Sequence, residues 1–336
     1  MPTMLDIARE CGVSRSVVSL VLNGRDKELG IAARTRDQIL RVAQEIGYYR
    51  NEMAASIGRS HSQVLAFVTA RMGSVEYTGR IQNGVLDAAS ERGYTITMHR
   101  LNTASELEII RKILGWRAAG VIFHVAELSV IRGMTAELER NGIPWGTVNL
   151  SNPGGIGITT DDRSGIENAV RLLGECGHCR IAFAANGAQA RMEFQKSREM
   201  GYLEGLKRFF PEQKPLVLRL TEAARMNDMT YVTKLVQQLI RQKADAVICE
   251  SDQLATSLGR AAQLKGYAIP NAFALVGFGN SMISETFNPP LCTISQDFEE
   301  MGRRTVNWLA DVIEKRADAV PPEVYVPTEF IRRGSL

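Results

Sequence analysis

Arg15, Ser16, Ser19 and Leu20 form the first group of residues whose types and spacing could read a DNA duplex. An arginine fork can pair with guanine O6 and N7, a serine with phosphate or a base edge, and a leucine with a thymine methyl. The four share one side of a short helix. Val18, Val21 and Leu22, at i, i+3 and i+4, give the other side an apolar stripe that must face inward. Ser14 stands where an N-cap would accept a bond from an orphaned backbone N–H, and the helix N-terminus it closes favours nearby phosphate.

The residues upstream supply a partner for that helix. Thr3 followed by Asp6 has the spacing of a capping box, with Asp in the place more often taken by Glu. Leu5, Ile7, Ala8 and Cys11 make a short apolar face, and Gly12 ends the run. Helix, glycine turn and capped helix together predict a helix-turn-helix, the second helix being the one that reads bases. An ordinary helical hairpin packed on a larger domain is the competing reading. A polar loop from Gly24 to Gly30 follows. A third helix then carries Ile39, Val42, Ala43 and Ile46 on one face, with Gly47 just past its end. Tyr48 and Tyr49 would cover the base of this module.

Asn51 to Gly58 could form two helical turns through Met53, Ala54, Ala55, Ser56 and Ile57. So short a helix does not hold alone, because nucleation costs more than its few bonds return. It must either order against a partner or remain a flexible linker. From Val64 the period changes. Val64–Ala70, Thr95–Met98, Gly120–His124 and Trp145–Asn149 read as buried strands, separated by helices at 79–92, 105–115 and 128–141. A second series is expected to begin at Ile156–Thr160 and to run through Arg180–Ala185, Leu216–Leu220, Ala246–Glu250 and Phe273–Phe278. Helices at 165–176, 197–210, 228–242 and 253–266 separate its strands. This alternation predicts two parallel sheets wrapped by helices, with ligands gathering at strand carboxyl ends and between the two lobes.

Composition agrees with a soluble globular chain of two or three domains. The 336 residues are 45% hydrophobic and 23% charged. A net charge of +3 is too small to argue for nucleic acid by itself, so phosphate contacts would fall to particular arginines: Arg15, Arg34, Arg36, Arg50 and Arg59. No stretch reaches the roughly 18 apolar residues of a membrane span, and the polar start from Met1 to Glu10 is unlike a signal peptide. Five cysteines, an odd number, suit free thiols in a reducing cytoplasm. Cys176-Gly177-His178-Cys179 has no second ligand pair and reads as a helix end before a buried strand, not a zinc site. Gly277-x-Gly279 and the glycines of 154–157 lack the spacing and flanking elements of a dinucleotide fingerprint. With no P-loop, triad or metal-ligand spacing, no catalytic residue, metal or cofactor is expected.

Asp6-Ile7-Ala8, Gly12-Val13-Ser14, Val18-Ser19, Val21-Leu22-Asn23, Thr35-Arg36 and Ile46-Gly47-Tyr48 closely resemble the headpiece of LacI/GalR-type bacterial transcription regulators. The resemblance runs on through Asp161, Asp162 and Gly165, Arg198-x-x-Gly201-Tyr202, Ser251-Asp252, Pro290 to Ile294, Gln296-Asp297-Phe298 and Arg333-Gly334-Ser335. It implies an all-α helix-turn-helix headpiece over residues 1–49 and a hinge helix over 50–61. Behind these it implies a two-lobed α/β core of the type I periplasmic-binding-protein kind over 62–336. The N-lobe would comprise about 62–158 plus 293–320, and the C-lobe about 161–290 plus 323–336.

The resemblance further implies a homodimer on a near-palindromic double-stranded DNA operator, controlled by a sugar-like effector. DNA contacts are then expected from Thr3, Ser14, Arg15, Ser16, Val17, Ser19, Leu20, Asn23, Arg36, Asn51, Ala54 and Ile57. Ile57 would be the wedge that opens a minor-groove step. Effector contacts are expected from Asp162, Arg198, Asp252, Asn280, Gln296 and Phe298, and a guanidinium such as that of Arg198 suits sugar hydroxyls or a carboxylate.

There are departures from the family pattern. Val17 replaces the usual Thr, the loop from Gly24 to Gly30 is longer, Ala32 stands at a capping Ser position, and Arg50 replaces a Pro. In the core, Gly279 replaces an Asp that commonly bonds the effector, and Ser251 replaces an Asn. Asn280, Asp162 and Glu250 could compensate. A periplasmic-type sugar-binding protein shares the core but not the first 60 residues, and an enzyme on an α/β core finds no motif here.

Overall fold

The computed structural model describes residues 2–49, 62–70, 75–102, 106–152, 155–187, 192–220, 229–316 and 324–336. Asn51, Ala54 and Ile57 of the expected hinge lie outside them. The chain divides into two compact units, Met1–Ser62 and Gln63–Leu336.

The first unit is three helices, α1 (Met4–Cys11), α2 (Arg15–Leu22) and α3 (Ala33–Glu45). Thr3 and Asp6 close a true capping box on α1. Gly12 ends that helix in the left-handed region at φ 65°, where a side chain would be strained. Ile7, Val18 and Ile39, one from each helix, are fully buried and meet at the centre. Each such burial is worth roughly 1.5–3 kcal/mol, which is why three short helices can hold where one could not. Ala32 makes no side-chain cap for α3, as its methyl dictates. The loop after α2 contains one 3₁₀ turn, Asp26–Leu29.

The second unit contains two six-stranded sheets. In the first, the order is β11 (Val324–Val326), β5 (Ile156–Thr160), β4 (Trp145–Val148), β3 (Gly120–His124), β1 (Val64–Thr69), β2 (Thr95–Arg100), all parallel. In the second it is β12 (Thr328–Ile331), β10 (Cys292–Gln296), β9 (Ala274–Phe278), β8 (Ala246–Cys249), β6 (Ile181–Ala185), β7 (Val217–Arg219), with β12 alone antiparallel. Central strands such as β3, β6, β8 and β9 are buried along their whole length, the pattern of sheets covered on both faces by helices.

Two expectations are corrected. Ile156–Thr160 does not open the second sheet; it pairs with β4 in the first, Gly146 opposite Ile156. The connection between them carries no helix, and that missing helix made it look like a lobe boundary. The return segments also divide differently. Cys292–Gln296 belongs to the second sheet and Val324–Val326 to the first, so each boundary moves by one strand. The chain therefore crosses between lobes three times, at 160–162, 296–298 and 326–328. The crossings touch: the Asp161 N–H donates to the Val326 carbonyl at 3.2 Å, and the Thr328 hydroxyl to the Asp161 carbonyl at 3.4 Å.

Two helix pairings and one helix–strand contact position the cleft between the lobes. α4 (Glu76–Glu91) lies against α12 (Phe298–Ile313), and a Cβ on Gly84 or Gly302 would strike the other helix's backbone. α7 (Asp162–Glu175) lies against α8 (Glu193–Phe209) in the same way, a Cβ on Gly201 colliding with the Arg163 carbonyl. α10 (Asp252–Leu264) rests on β9. Among the described residues no helix is long and apolar enough to cross a membrane.

Candidate functional site

The reading helix α2 is built as its residue types predict. The Ser14 hydroxyl accepts the Val17 N–H at 3.3 Å. Arg15 and Ser16 stand exposed in the first turn, and Arg15 makes no ion pair among the described residues. Ser19 is half-buried on the same side. Leu20, read as exposed, is half-buried instead, and Val17 leans into the three-helix core beside Val18. Asn23 folds back on its own helix, its amide donating to the Ser19 carbonyl at 2.6 Å and hydroxyl at 3.2 Å.

Thr3 is committed to Asp6, whose carboxyl is held below its ordinary value by the bonds from the Thr3 hydroxyl and amide. Arg36 is less available than the sequence suggests. Its guanidinium bonds Asp37 at 2.8 and 3.0 Å and lies 3.8 Å from Asp26. Those carboxylates raise its pKa above the usual arginine value. Among the described residues of this unit, exposed arginines without an ion pair stand at two helix N-termini, Arg15 on α2 and Arg34 on α3.

The cleft is a cavity of about 520 Å³ within the second unit. α4 and α12 give it Glu76, Tyr77, Arg80 and Phe298; α8 gives Phe194, Gln195 and Arg198. The ends of β8, β9 and β10 give Glu250, Ser251, Asp252, Phe278, Gly279 and Gln296. This is where ligands gather in parallel sheets, beyond the strand carboxyl ends.

Arg198 is the centre of the wall. It is 7% exposed, and its plane lies over the Phe278 ring at 3.8 Å with Phe194 at 4.9 Å. Nε donates to Asp162 at 2.7 Å, Nη1 to the Glu250 carbonyl at 2.6 Å and Nη2 to Gln296 Oε1 at 3.3 Å. The Gln296 amide in turn donates to Thr160 Oγ1 at 2.6 Å and Asp162 Oδ1 at 3.1 Å, while Thr160 donates to Asp162 at 2.5 Å. Five N–H groups with three bonds made leave two on the fork without a partner among the described residues. Asp162 does not line the cavity; it lies behind Arg198 and fixes it. Neither Asp161 nor Glu199 is the partner, since Asp161 caps α7 through the Ser164 N–H and Glu199 pairs with Arg219.

Asp252 does not cap α10. Ser251 does, accepting the Leu254 N–H at 3.3 Å, and Asp252 faces back toward β9 and β10. It accepts from the Ser281 N–H at 2.7 Å, the Ser281 hydroxyl at 2.8 Å and the Thr293 hydroxyl at 2.6 Å. Burial pushes its carboxyl above the usual aspartate value, against those bonds. Gly277 is required beneath it, since a Cβ there would collide with the Asp252 carboxylate.

Asn280 was expected at the cleft and is not there. Its backbone is left-handed at φ 48°, and its side chain bonds Ser295 at 3.3 Å and Arg333 at 2.8 Å. Phe298 does reach the cavity, with Tyr77 at 5.3 Å. Sequence reasoning missed Tyr77, Arg80, Phe194 and Gln195. Their only signal was position in the first two turns of a helix that follows a strand end.

A clasp joins the lobes at the cavity rim. The Glu76 carboxylate accepts the Met282 N–H at 3.0 Å, and Arg80 reaches the Asn280 carbonyl at 3.4 Å while bonding Glu299 at 3.1 and 3.3 Å.

Comparison with known proteins follows the same division. Residues 3–51 match the family of bacterial regulatory proteins of the lacI type, and residues 170–336 match the periplasmic binding protein-like domain. HTH-type transcriptional regulator MalR of Streptomyces coelicolor is 27% identical, over 99% of this chain and 96% of that protein. Catabolite control protein A of Priestia megaterium is 25% identical, over 93% of each. Among solved structures, the Lac repressor dimer bound to operator and the anti-inducer ONPF has the same fold. Its TM-score is 0.79 at 22% identity, over 99% of this chain and 98% of that one. The CelR–cellobiose complex superposes with a TM-score of 0.67 at 24% identity over the whole of both chains. The chain thus joins a domain matching the lacI family of bacterial regulatory proteins, at 3–51, to a periplasmic binding protein-like domain, at 170–336, and is similar along nearly its whole length to bacterial transcriptional regulators.

Proposed function

We propose that the protein is a repressor that binds a near-palindromic operator as a cytoplasmic homodimer and is controlled by a sugar-like small molecule held in the cleft. One observation carries the reading. The Arg198 network on the cleft wall includes Thr160 and Gln296, residues at two of the three crossings between lobes. A ligand that uses the free N–H groups of Arg198 therefore acts directly on the joint about which the lobes move. The Glu76 and Arg80 clasp gives the closed arrangement a contact of its own.

Two reading helices would enter successive major grooves, with Arg15 on guanine and Ser16 and Ser19 on phosphate or base edges. Residues 50–61 would order in the minor groove only when held together as a pair. Ligand-driven movement of the lobes changes whether they can pair, and a coupling of about 1–3 kcal/mol is enough to switch occupancy. Two neighbours support the parts of this reading: one is described with operator DNA, the other with cellobiose.

The test is selection of bound duplexes from a random pool by the purified full chain, followed by titration of the recovered site with candidate sugars. A pseudo-palindromic site whose occupancy responds to one of them is the expected result. Equal binding to all duplexes, with and without sugars, overturns the reading.

A further inference from the structure

The charges facing the cavity do not balance. Two arginines line it, and each is matched by a carboxylate behind the wall: Arg198 by Asp162 at 2.7 Å and Arg80 by Glu299 at 3.1 Å. Three carboxylates line it as well, Glu76, Glu250 and Asp252, and none has an arginine or lysine as ion-pair partner among the described residues. Glu76 accepts a backbone N–H, and Asp252 accepts one backbone N–H and two hydroxyls.

Glu250 has least. It is 3% exposed, and among the described residues its carboxylate meets only the Gln195 amide, at 3.2 and 3.4 Å. That amide cannot turn to offer anything else, because Gln195 Oε1 is held by the Met192 N–H at 3.0 Å. A buried carboxylate without a cation is costly to maintain, and a neutral amide lessens that cost without cancelling the charge. Arg198 reaches the backbone carbonyl of Glu250 at 2.6 Å, but among the described residues no cationic group bonds the carboxylate itself. A negative one would face a buried acid whose carboxylate has no cationic partner among the described residues.

We propose that the cleft selects a polyhydroxylated ligand carrying a basic nitrogen, an amino sugar or a related amine, with its ammonium against Glu250, and rejects phosphorylated sugars. Hydroxyls of the same molecule take the free N–H groups of Arg198, and the apolar ring face meets Phe298 and Tyr77. The inference rests on the reading of this cavity as the effector site and narrows the class of effector.

Matched probes test it: D-glucosamine, D-glucose and D-glucose 6-phosphate, with the corresponding galactose series, titrated into the full chain at one pH by calorimetry. In at least one series the amine is expected to bind about tenfold or more tighter than its neutral parent, a difference of about 1.4 kcal/mol, with no binding of the phosphate. Glu250→Gln is expected to erase the preference for the amine, and Glu250→Asp, which keeps the charge, to retain part of it. A neutral or phosphorylated sugar that binds as tightly as the amine in both series overturns the inference, as does no binding by any probe. Because the comparison is made on the wild-type chain, it stands even if a variant does not fold. If a neutral sugar binds and releases selected operator DNA, this inference fails while the regulator reading survives. If DNA selection finds no site, the regulator reading fails by itself.

Discussion

The reading helix and the cleft wall use the same residue types in opposite ways. On α2, Arg15 and Ser16 are exposed, and Arg15 makes no ion pair among the described residues. On the wall, Arg198, Asp162, Gln296 and Thr160 are buried and bond mainly to one another, leaving little capacity over. An exposed arginine costs the fold nothing when its partner is absent, so its contribution appears only on binding and is weakened by salt. A buried one must be paired before any ligand arrives, so it serves stability and recognition at once. Under the proposed function, the first surface would gain affinity from charge and the second would gain selectivity from the few groups left unpaired.

The largest expected effect tests the buried side. Arg198→Ala strands Asp162 in the interior and should cost about 3–5 kcal/mol in urea unfolding. A loss below about 1 kcal/mol, the range of exposed pairs, would erase the contrast. Arg15→Ala should do the reverse. Unfolding stability stays within about 0.5 kcal/mol, while affinity for the selected site falls by about 1–3 kcal/mol and one base position relaxes. Equal binding of all site variants by wild type and mutant would show that Arg15 does not read a base. Ser14→Ala sits between the two regions in character, removing a cap from an exposed helix. A loss of about 1 kcal/mol in headpiece stability is expected, and an unchanged melting curve would mean that the cap contributes nothing.

The smallest effect concerns pH. Burial raises the Asp252 carboxyl above 3.8 in the folded chain, so the folded state holds that proton more tightly than the unfolded state does. Its charged form then burdens the fold at neutral pH, and the burden lifts as pH falls through the window just above 3.8. Wild type should therefore gain on Asp252→Asn as the pH drops through that window. A stability gap independent of pH would place the carboxyl at its ordinary value.

The headpiece was legible because its signals are local. Thr3 and Asp6 cap within one turn, Gly12 marks a left-handed end, and the spacing of Val18 and Val21 states which face turns inward. The strands of the core were equally plain as apolar runs. What could not be read was partnership at long range. Nothing local distinguishes Asp162 as the mate of Arg198 from its neighbour Asp161 or from the adjacent Glu199, because the sheets and the α7–α8 packing decide it. Asn280 was misplaced because one left-handed residue turns its side chain away from the cavity. Ile156–Thr160 was read as opening the second strand series because strand pairing was inferred from intervening helices, and that connection has none.

The three crossings have a consequence for synthesis on the ribosome. The edge strand β11 of the first sheet and the edge strand β12 of the second are made last, from residues 324–331. Neither lobe can close its sheet while the nascent chain is still shorter than that. Domain-by-domain folding during translation, the usual protection for long chains, is therefore denied to the two lobes separately. They must mature together after the final strands emerge, and a truncation of a dozen residues should damage both at once.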